Sequence, residues 1–215
     1  MAKPLPTLDY EQELLQAGHT CIAGLDEAGR GAWAGPVAAG AVILPTGDPL
    51  LREKLEGVCD SKLCTPRRRD LLYDIICEVA LSWAVSLVPA SRIDEIGIAA
   101  ATRRAMREAI AQLDPAPDAL LIDYIKLPTV QLEQRSITKG DQKSLTIASA
   151  SILAKVTRDR EMIVLDEIYA GYGFAQHKGY GTRQHQNALQ KLGPAKIHRR
   201  SFAPVAAREQ DAPLS

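Results

Sequence analysis

The stretch CIAGLDEAGRGAWAGPVAAGAVIL, Cys21 to Leu44, sets an apolar run against two adjacent carboxylates, Asp26 and Glu27. It then passes through Gly29, Gly31 and Gly35 into a second apolar run. Cys21 to Asp26 predicts a strand that closes on a carboxylate. Pro36 to Leu44 predicts a second strand, stopped by Pro45 and Gly47. An Asp-Glu pair is ordinarily a solvated surface turn, and that reading stands beside any functional one. Adjacent strand residues face opposite ways, so Asp26 and Glu27 share a site only if the chain bends between them. Gly29 and Gly31 supply backbone that can bend.

Working outward, Ala80 to Val88 reads as a third strand, and Leu8 to Gln16 as a short leading helix. Helices fit Pro66 to Glu78 and Ile98 to Leu113. In the latter, Ala101, Ala105, Met106, Ala109, Ile110 and Leu113 fall on one face. Asp118 to Ile125 is nearly all apolar with one charge inside it, as a strand covered on both faces would be. Val130 to Thr138 is a further extended segment, and Lys139 to Asp141 makes a turn. A long helix is expected from about Gln142 to Tyr169. Its first half is rich in small residues, which let a helix lie close on a sheet. Strands mixed with helices in this order predict an α/β layer rather than a bundle.

The chain of 215 residues suits one domain, and 46% hydrophobic residues can fill its core. We divide it into a lead-in over 1–16, a main domain over 17–205 with a basic C-terminal part from about 171, and a frayed tail over 206–215. Lys plus Arg and Asp plus Glu both number 26, so net charge alone says nothing about nucleic acid. The four cysteines form no C-x-x-C pair and read as reduced thiols. The N-terminus lacks an apolar signal core, and no stretch approaches the ~18 apolar residues of a membrane span. A soluble cytoplasmic protein is expected, working as a monomer.

Charges inside apolar strands carry the chemistry. A buried, unpaired carboxylate is costly, so such groups are paired or bind metal. Asp123 sits in the apolar run Ala119 to Ile125, where a salt bridge to a buried Arg or Lys is the plain alternative. Asp141 lies just before the long helix, where an ordinary N-cap is the plain alternative. Taken together, Asp26, Glu27, Asp123 and Asp141 converging without cations would need divalent metal. All-oxygen ligands suit Mg²⁺ or Mn²⁺ rather than zinc. Two such ions ~3.5–4 Å apart serve phosphodiester cleavage by stabilising both attacking and leaving oxygens.

From Gly171 to Arg200 the chain holds no Asp or Glu. Lys178, Arg183, Lys191, Lys196, Arg199 and Arg200 are interleaved there with His177, His185 and His198, and with Tyr172, Phe174 and Tyr180. A solvated basic face is one reading; a surface that contacts phosphates and packs rings on sugars or bases is the other. Lys62, in the Asp60–Lys62 triplet, could also reach a phosphate. No G-x-S-x-G elbow and no G-x-x-x-x-G-K-[ST] loop occurs, which removes two rival enzyme classes.

These motifs together resemble a known family. GLDEAGRG followed by AGPV, DSK at Asp60–Lys62, IGIAAATRRAMREAI at Ile96–Ile110 and LID at Leu121–Asp123 all match it. So do KGDQKS at Lys139–Ser144, ASASILAKVTRDREM at Ala148–Met162 and HKGYGTRQH…GPAKIHRRSFAPV at His177–Val205. The sequence is similar to ribonuclease HII, the type 2 ribonuclease H of bacteria, from about Tyr10 to Val205. The resemblance implies a ribonuclease H-like fold: a central mixed β-sheet flanked by helices, with a small helical C-terminal part. It implies an endonuclease for the RNA strand of RNA–DNA hybrids. It also implies incision of ribonucleotide-containing duplex DNA, 5′ of the single ribonucleotide, leaving 3′-hydroxyl and 5′-phosphate ends.

By the same resemblance the catalytic, metal-holding carboxylates fall on Asp26, Glu27, Asp123 and Asp141, with Asp26 bridging two Mn²⁺ or Mg²⁺ ions. Asp159 was a rival for the fourth place, and its setting between Arg158 and Arg160 reads as structural. Gly29, Arg30, Gly31 and Tyr180 fall on the family's sensor for the ribose 2′-hydroxyl. Lys62, Lys178 and Arg183 are weaker phosphate contacts. Two departures stand out. Ala32 and Trp33 follow Gly31 where Pro-Leu is common, and Tyr124 follows Asp123 where Gly is common. The rivals are another metal nuclease of the same fold, of the junction-resolvase or strand-transfer kind, and a non-catalytic hybrid-binding module.

Overall fold

The computed structural model describes residues 5–210. In chain order its elements are α1 (Asp9–Gln16), β1 (Ile22–Ala28), β2 (Val37–Ile43), α2 (Leu51–Lys54), α3 (Pro66–Val79), β3 (Ser82–Val88) and α4 (Ala90–Ile96). There follow α5 (Ile98–Ile110), β4 (Ala119–Asp123), β5 (Glu133–Ile137), α6 (Leu145–Ile168), α7 (Phe174–His177), α8 (Arg183–Leu192) and α9 (Ala203–Gln210). The strands form one sheet in the order β3-β2-β1-β4-β5. β1 pairs antiparallel with β2 and parallel with β4, and β5 continues the parallel side. The expected mixed α/β sheet is thus present.

The pleat of β1 and β2 divides the core into two layers. Ala23, Leu25, Val37, Ala39, Ala41 and Ile43 face α5, whose Ala101, Ala105, Met106 and Ala109 pack on them. The alternate residues face α6. There the sheet leaves almost no gap: a Cβ on Gly24 would lie 2.5 Å from the Thr146 carbonyl carbon, and one on Gly40 would lie 2.4 Å from the Ala150 oxygen. The small residues expected to seat this helix do so, and the first half of α6 is buried.

The leading helix belongs to the same core. Leu14 is fully buried with Ile22, Leu121 and Ile147. Glu11, also buried, accepts a bond from the Thr146 amide at 3.0 Å and from the Ser144 hydroxyl at 2.6 Å. At the other end, the tail expected from residue 206 is helical as far as Gln210, with Val205 buried beneath it. Residues 211–215 of that tail lie outside the described residues. Among the described residues no helix is long and apolar enough to cross a membrane.

Because backbone atoms meet Gly40, a methyl group there has nowhere to go. Gly40→Ala is expected to lower unfolding free energy by ~1–3 kcal/mol, the usual cost of overpacking a filled core. A urea titration followed by circular dichroism measures it. An unchanged midpoint would mean that α6 does not sit as described.

Candidate active site

The site lies where the central parallel strands end. β1 pairs with β4 only from Ile22 to Leu25, yet β1 runs on to Ala28. Past Leu25, the β4 side of β1 is therefore open. Asp26 and Glu27 lie in this overhang, still paired with Gly40 and Ala39 of β2. The predicted bend between them is absent: the strand continues through both. Asp26 shares the α6 face with Gly24, and Glu27 takes the opposite face with Leu25. They reach one cleft because the strand edge is open there, not because glycine kinks it. Asp123, the last residue of β4, shares the α6 face. The cleft, about 560 Å³, is lined by Asp26, Glu27, Asp123, Lys62, Gly29–Gly31 and Tyr180.

Asp141 joins from a short 3-10 turn ahead of α6. It is not the N-cap of that helix, contrary to the plain sequence reading. Ser144 holds that position, its hydroxyl accepting from the Ile147 amide at 3.1 Å. Asp141 Oδ2 instead lies 3.5 Å from Lys62 Nζ, which also stands 3.6 Å from Asp60 Oδ1. The same turn presents the Gly140 amide, which donates to Asp123 Oδ1 at 2.7 Å. The turn thus ties β4's last carboxylate to the start of α6.

All four carboxyl groups have pKa values raised above the ordinary carboxylate range. Asp26 is only 3% exposed, and burial pushes its pKa well up, with Glu27 and Asp123 adding to the rise. Burial also raises Glu27, against the pull of Arg30 at 3.7 Å. It raises Asp123 despite the Gly140 amide, and Asp141, where Asp60 adds and Lys62 opposes. Glu27 Oε2 is buried and lacks any partner. An orphaned carboxylate oxygen amid four acid groups, with Lys62 and Arg30 as the nearby counter-charges, is a donor set that fits a divalent cation. Among the described residues no three such groups already stand in ligating geometry. Holding a cation there would require side-chain rotation.

One wall of the cleft is held by two buried arginines that the sequence reading had not singled out for this task. Arg158 donates to Pro36 O at 2.8 Å, Lys178 O at 3.0 Å and Ala34 O at 3.2 Å. Arg199 donates to Gly35 O, Arg30 O and Pro36 O at 2.9–3.1 Å. Gly29 has φ +83°, and a Cβ there would fall 1.8 Å from Arg158 Nε. Its missing side chain therefore makes room for Arg158. Gly31 has open space around it, so it is the glycine that leaves the cleft wall clear.

Trp33 now has a purpose. Its amide donates to Gly179 O at 2.8 Å, and a Cβ on Gly181 would strike its ring at 2.2 Å. Gly179 lies equally close to Ala34. The two glycines flank Tyr180, so residues 32–35 seat the Tyr180 loop. The Tyr180 ring lies under Arg158, 5.4 Å from its guanidinium carbon, and 5.7 Å from Lys155 Nζ.

The basic C-terminal stretch does not act as one surface. His177, His185 and His198 are buried against Phe174. Burial pushes His185 and His198 down to about 4, so both are neutral near pH 7. His185 Nε2 and His198 Nε2 share a hydrogen bond of 3.0 Å. These histidines and Arg199 are core residues rather than phosphate contacts. Lys178 lines a second cavity of about 460 Å³, shared with Lys155, Arg69 and Tyr180, which continues the cleft. Arg183 begins α8 and lines neither cavity. Asp159 is ion-paired, with Lys155 at 2.7 Å and Arg69 at 3.8 Å rather than with the flanking Arg158 and Arg160.

The raised Asp26 pKa has a definite sign for stability. The folded chain holds this proton more tightly than the unfolded chain, so stability falls as pH rises from the ordinary carboxylate range through the raised value. Asp26→Asn removes that loss. In the presence of chelator, the variant is expected to melt several degrees higher than wild type at pH 8, with the gap closing toward pH 4. Scanning calorimetry across pH checks this; a lower melting point at pH 8 would contradict it.

Comparison with known proteins shows the family and the fold. A family model, Ribonuclease HII, matches residues 23–205. The chain is 50% identical over 200 residues to a ribonuclease HII of Roseiflexus castenholzii, covering 93% of this chain and 89% of that one. It is 52% identical over 185 residues to a ribonuclease HII of Thermus thermophilus, covering 86% and 87%. The crystal structure of ribonuclease H2 from Pyrococcus horikoshii superposes with a TM-score of 0.74 at 27% identity, over 89% of this chain and 98% of that one. With its ribonuclease H sheet and its carboxylates at the open strand end, the chain belongs to the ribonuclease HII family and is a hydrolytic ribonuclease H.

Proposed function

We propose that this endonuclease cuts the RNA strand of RNA–DNA hybrids and incises duplex DNA 5′ of a single embedded ribonucleotide, leaving 3′-hydroxyl and 5′-phosphate ends. The observation that carries the proposal is one cleft holding both a cluster of acid groups and a sugar-sized wall. Asp26, Glu27 and Asp123 line it together with Gly31 and Tyr180. Asp26, Glu27, Asp123 and Asp141 hold divalent metal, and an all-oxygen set suits Mg²⁺ or Mn²⁺. Two such ions, when bound, stabilise the attacking and leaving oxygens of the phosphodiester.

The chain's own groups do the rest. Asp26, buried on the lining of the cleft, would be a ligand of the metal. Arg30 and Lys62 temper the charge of the acids, and Lys62, on the lining of the cleft, is placed to reach a phosphate. The backbone at Arg30 and Gly31 faces the ribose. Its 2′-hydroxyl, both donor and acceptor, distinguishes RNA from DNA. Tyr180, fixed by Gly179, Gly181 and the cations over its ring, presses on the same sugar. A resolvase or strand-transfer enzyme has no need of that wall. Four free cysteines fit work in the reducing cytoplasm.

The test is a DNA duplex carrying one ribonucleotide, with Mn²⁺ or Mg²⁺. Incision 5′ of the ribonucleotide, abolished by Asp26→Asn, is expected; equal cutting of an all-DNA duplex would refute the reading. Tyr180→Ala is expected to lose about tenfold or more in rate, since ring contacts with nucleotides are worth ~1–3 kcal/mol. It should leave Mn²⁺ affinity by titration calorimetry unchanged. Equal loss of metal affinity would remove Tyr180 from the sugar-contacting role.

A further inference from the structure

Tyr124 follows Asp123 directly and is strained. Its φ is +56°, a left-handed conformation that a bulky residue rarely adopts and glycine adopts freely. Its side chain gains nothing from burial, being 68% exposed. Strain kept without a packing reason points to function.

The surroundings show what that function would meet. Tyr124 lines a groove of about 320 Å³ with Arg30, Ala99, Arg103, Ile125 and Lys126. Three of these residues are cations, and none is acidic. Arg30 also borders the catalytic cleft, so groove and cleft adjoin at this side chain. Arg30 is engaged with Glu27. Arg103 differs: its Nε is buried without a hydrogen-bond partner. A guanidinium with a buried unsatisfied donor, beside a second cation and an exposed ring, is equipped for an anion attached to a flat or sugar-like group.

We infer that this groove takes the nucleotide of the substrate that lies beyond the cleaved phosphate on the Arg30 side. Arg103 and Lys126 hold its phosphate, and the Tyr124 ring packs against its sugar or base. Tyr124 is then a specificity-determining contact peculiar to a chain with tyrosine at this position. The inference rests on the nuclease reading above. It adds affinity for the extended substrate and leaves the bond-breaking step to the carboxylates.

Steady-state cleavage of the ribonucleotide duplex, with a parallel melting curve, tests it. Tyr124→Gly relieves the strain, so the variant is expected to melt no lower than wild type. Its KM is expected to rise about tenfold, with the loss falling on KM rather than kcat. Tyr124→Phe keeps the ring and is expected to keep KM. Arg103→Gln is expected to flatten the salt dependence of binding by about one unit of slope, read by fluorescence anisotropy with chelator present. Wild-type cleavage together with an unchanged KM in Tyr124→Gly and an unchanged slope in Arg103→Gln would overturn the inference alone. Failure of wild type to cut at the ribonucleotide would overturn the nuclease reading and this inference with it.

Discussion

The burial of Asp26 is the constraint on which the rest depends. A carboxylate only 3% exposed, on a strand that is apolar apart from it and Glu27, loses its water and gains Glu27 and Asp123 as acidic neighbours. The Glu27 amide, donating to Asp26 Oδ1 at 2.7 Å, and the Ser151 hydroxyl offset only part of that cost. The fold tolerates it by placing the group where the strand edge is open. β4 ends at Asp123 while β1 continues to Ala28, so the acids, only partly countered by Arg30 and Lys62, face an open cleft. Stability is given up at this point, as expected of sites built for chemistry.

The position of the fourth acid follows from packing at a distance. Gly24 and Gly40 bring α6 down onto the sheet until backbone meets Cα. Glu11 and Ser144 then satisfy the first amides of that helix. With capping done by others, the preceding turn can give Asp141 to Lys62 and the cleft, and the Gly140 amide to Asp123. The second wall depends on Arg158 and Arg199, two buried cations that donate only to main-chain carbonyls across residues 30–36 and Lys178. They weld the glycine loop after β1 to the Tyr180 loop. The loop that follows the acid-bearing strand and the Tyr180 loop are therefore joined through buried hydrogen bonds.

Much of this was legible in the sequence. The strands and the amphipathic face of α5 followed from periodicity. Asp26 and Asp123 stood out because charge inside an apolar run has few structural reasons to be there. What sequence could not supply was three-dimensional context. The overhang of β1 depends on where β4 stops, so a bend was invoked where an open edge suffices. Asp141 carries the chemistry of an N-cap, and only the structure hands that task to Ser144 and Glu11. The histidines and Arg199 look basic in a row of letters; packing around Phe174 makes the former neutral and core. Trp33 lacked a role until Gly181 was found beneath its ring. Tyr124 read only as a departure, since φ is invisible in a sequence.

The central claim is that Asp26, Glu27, Asp123 and Asp141 together hold the catalytic metal. Anomalous diffraction at the manganese edge, from crystals of the protein grown with Mn²⁺ and a ribonucleotide-containing duplex, tests it most directly. The account predicts strong anomalous density within ligating distance of Asp26 and at least two of the other three carboxylates, with Lys62 Nζ moved off Asp141. Anomalous density confined to other sites, with Lys62 still on Asp141 and the duplex bound, would contradict it.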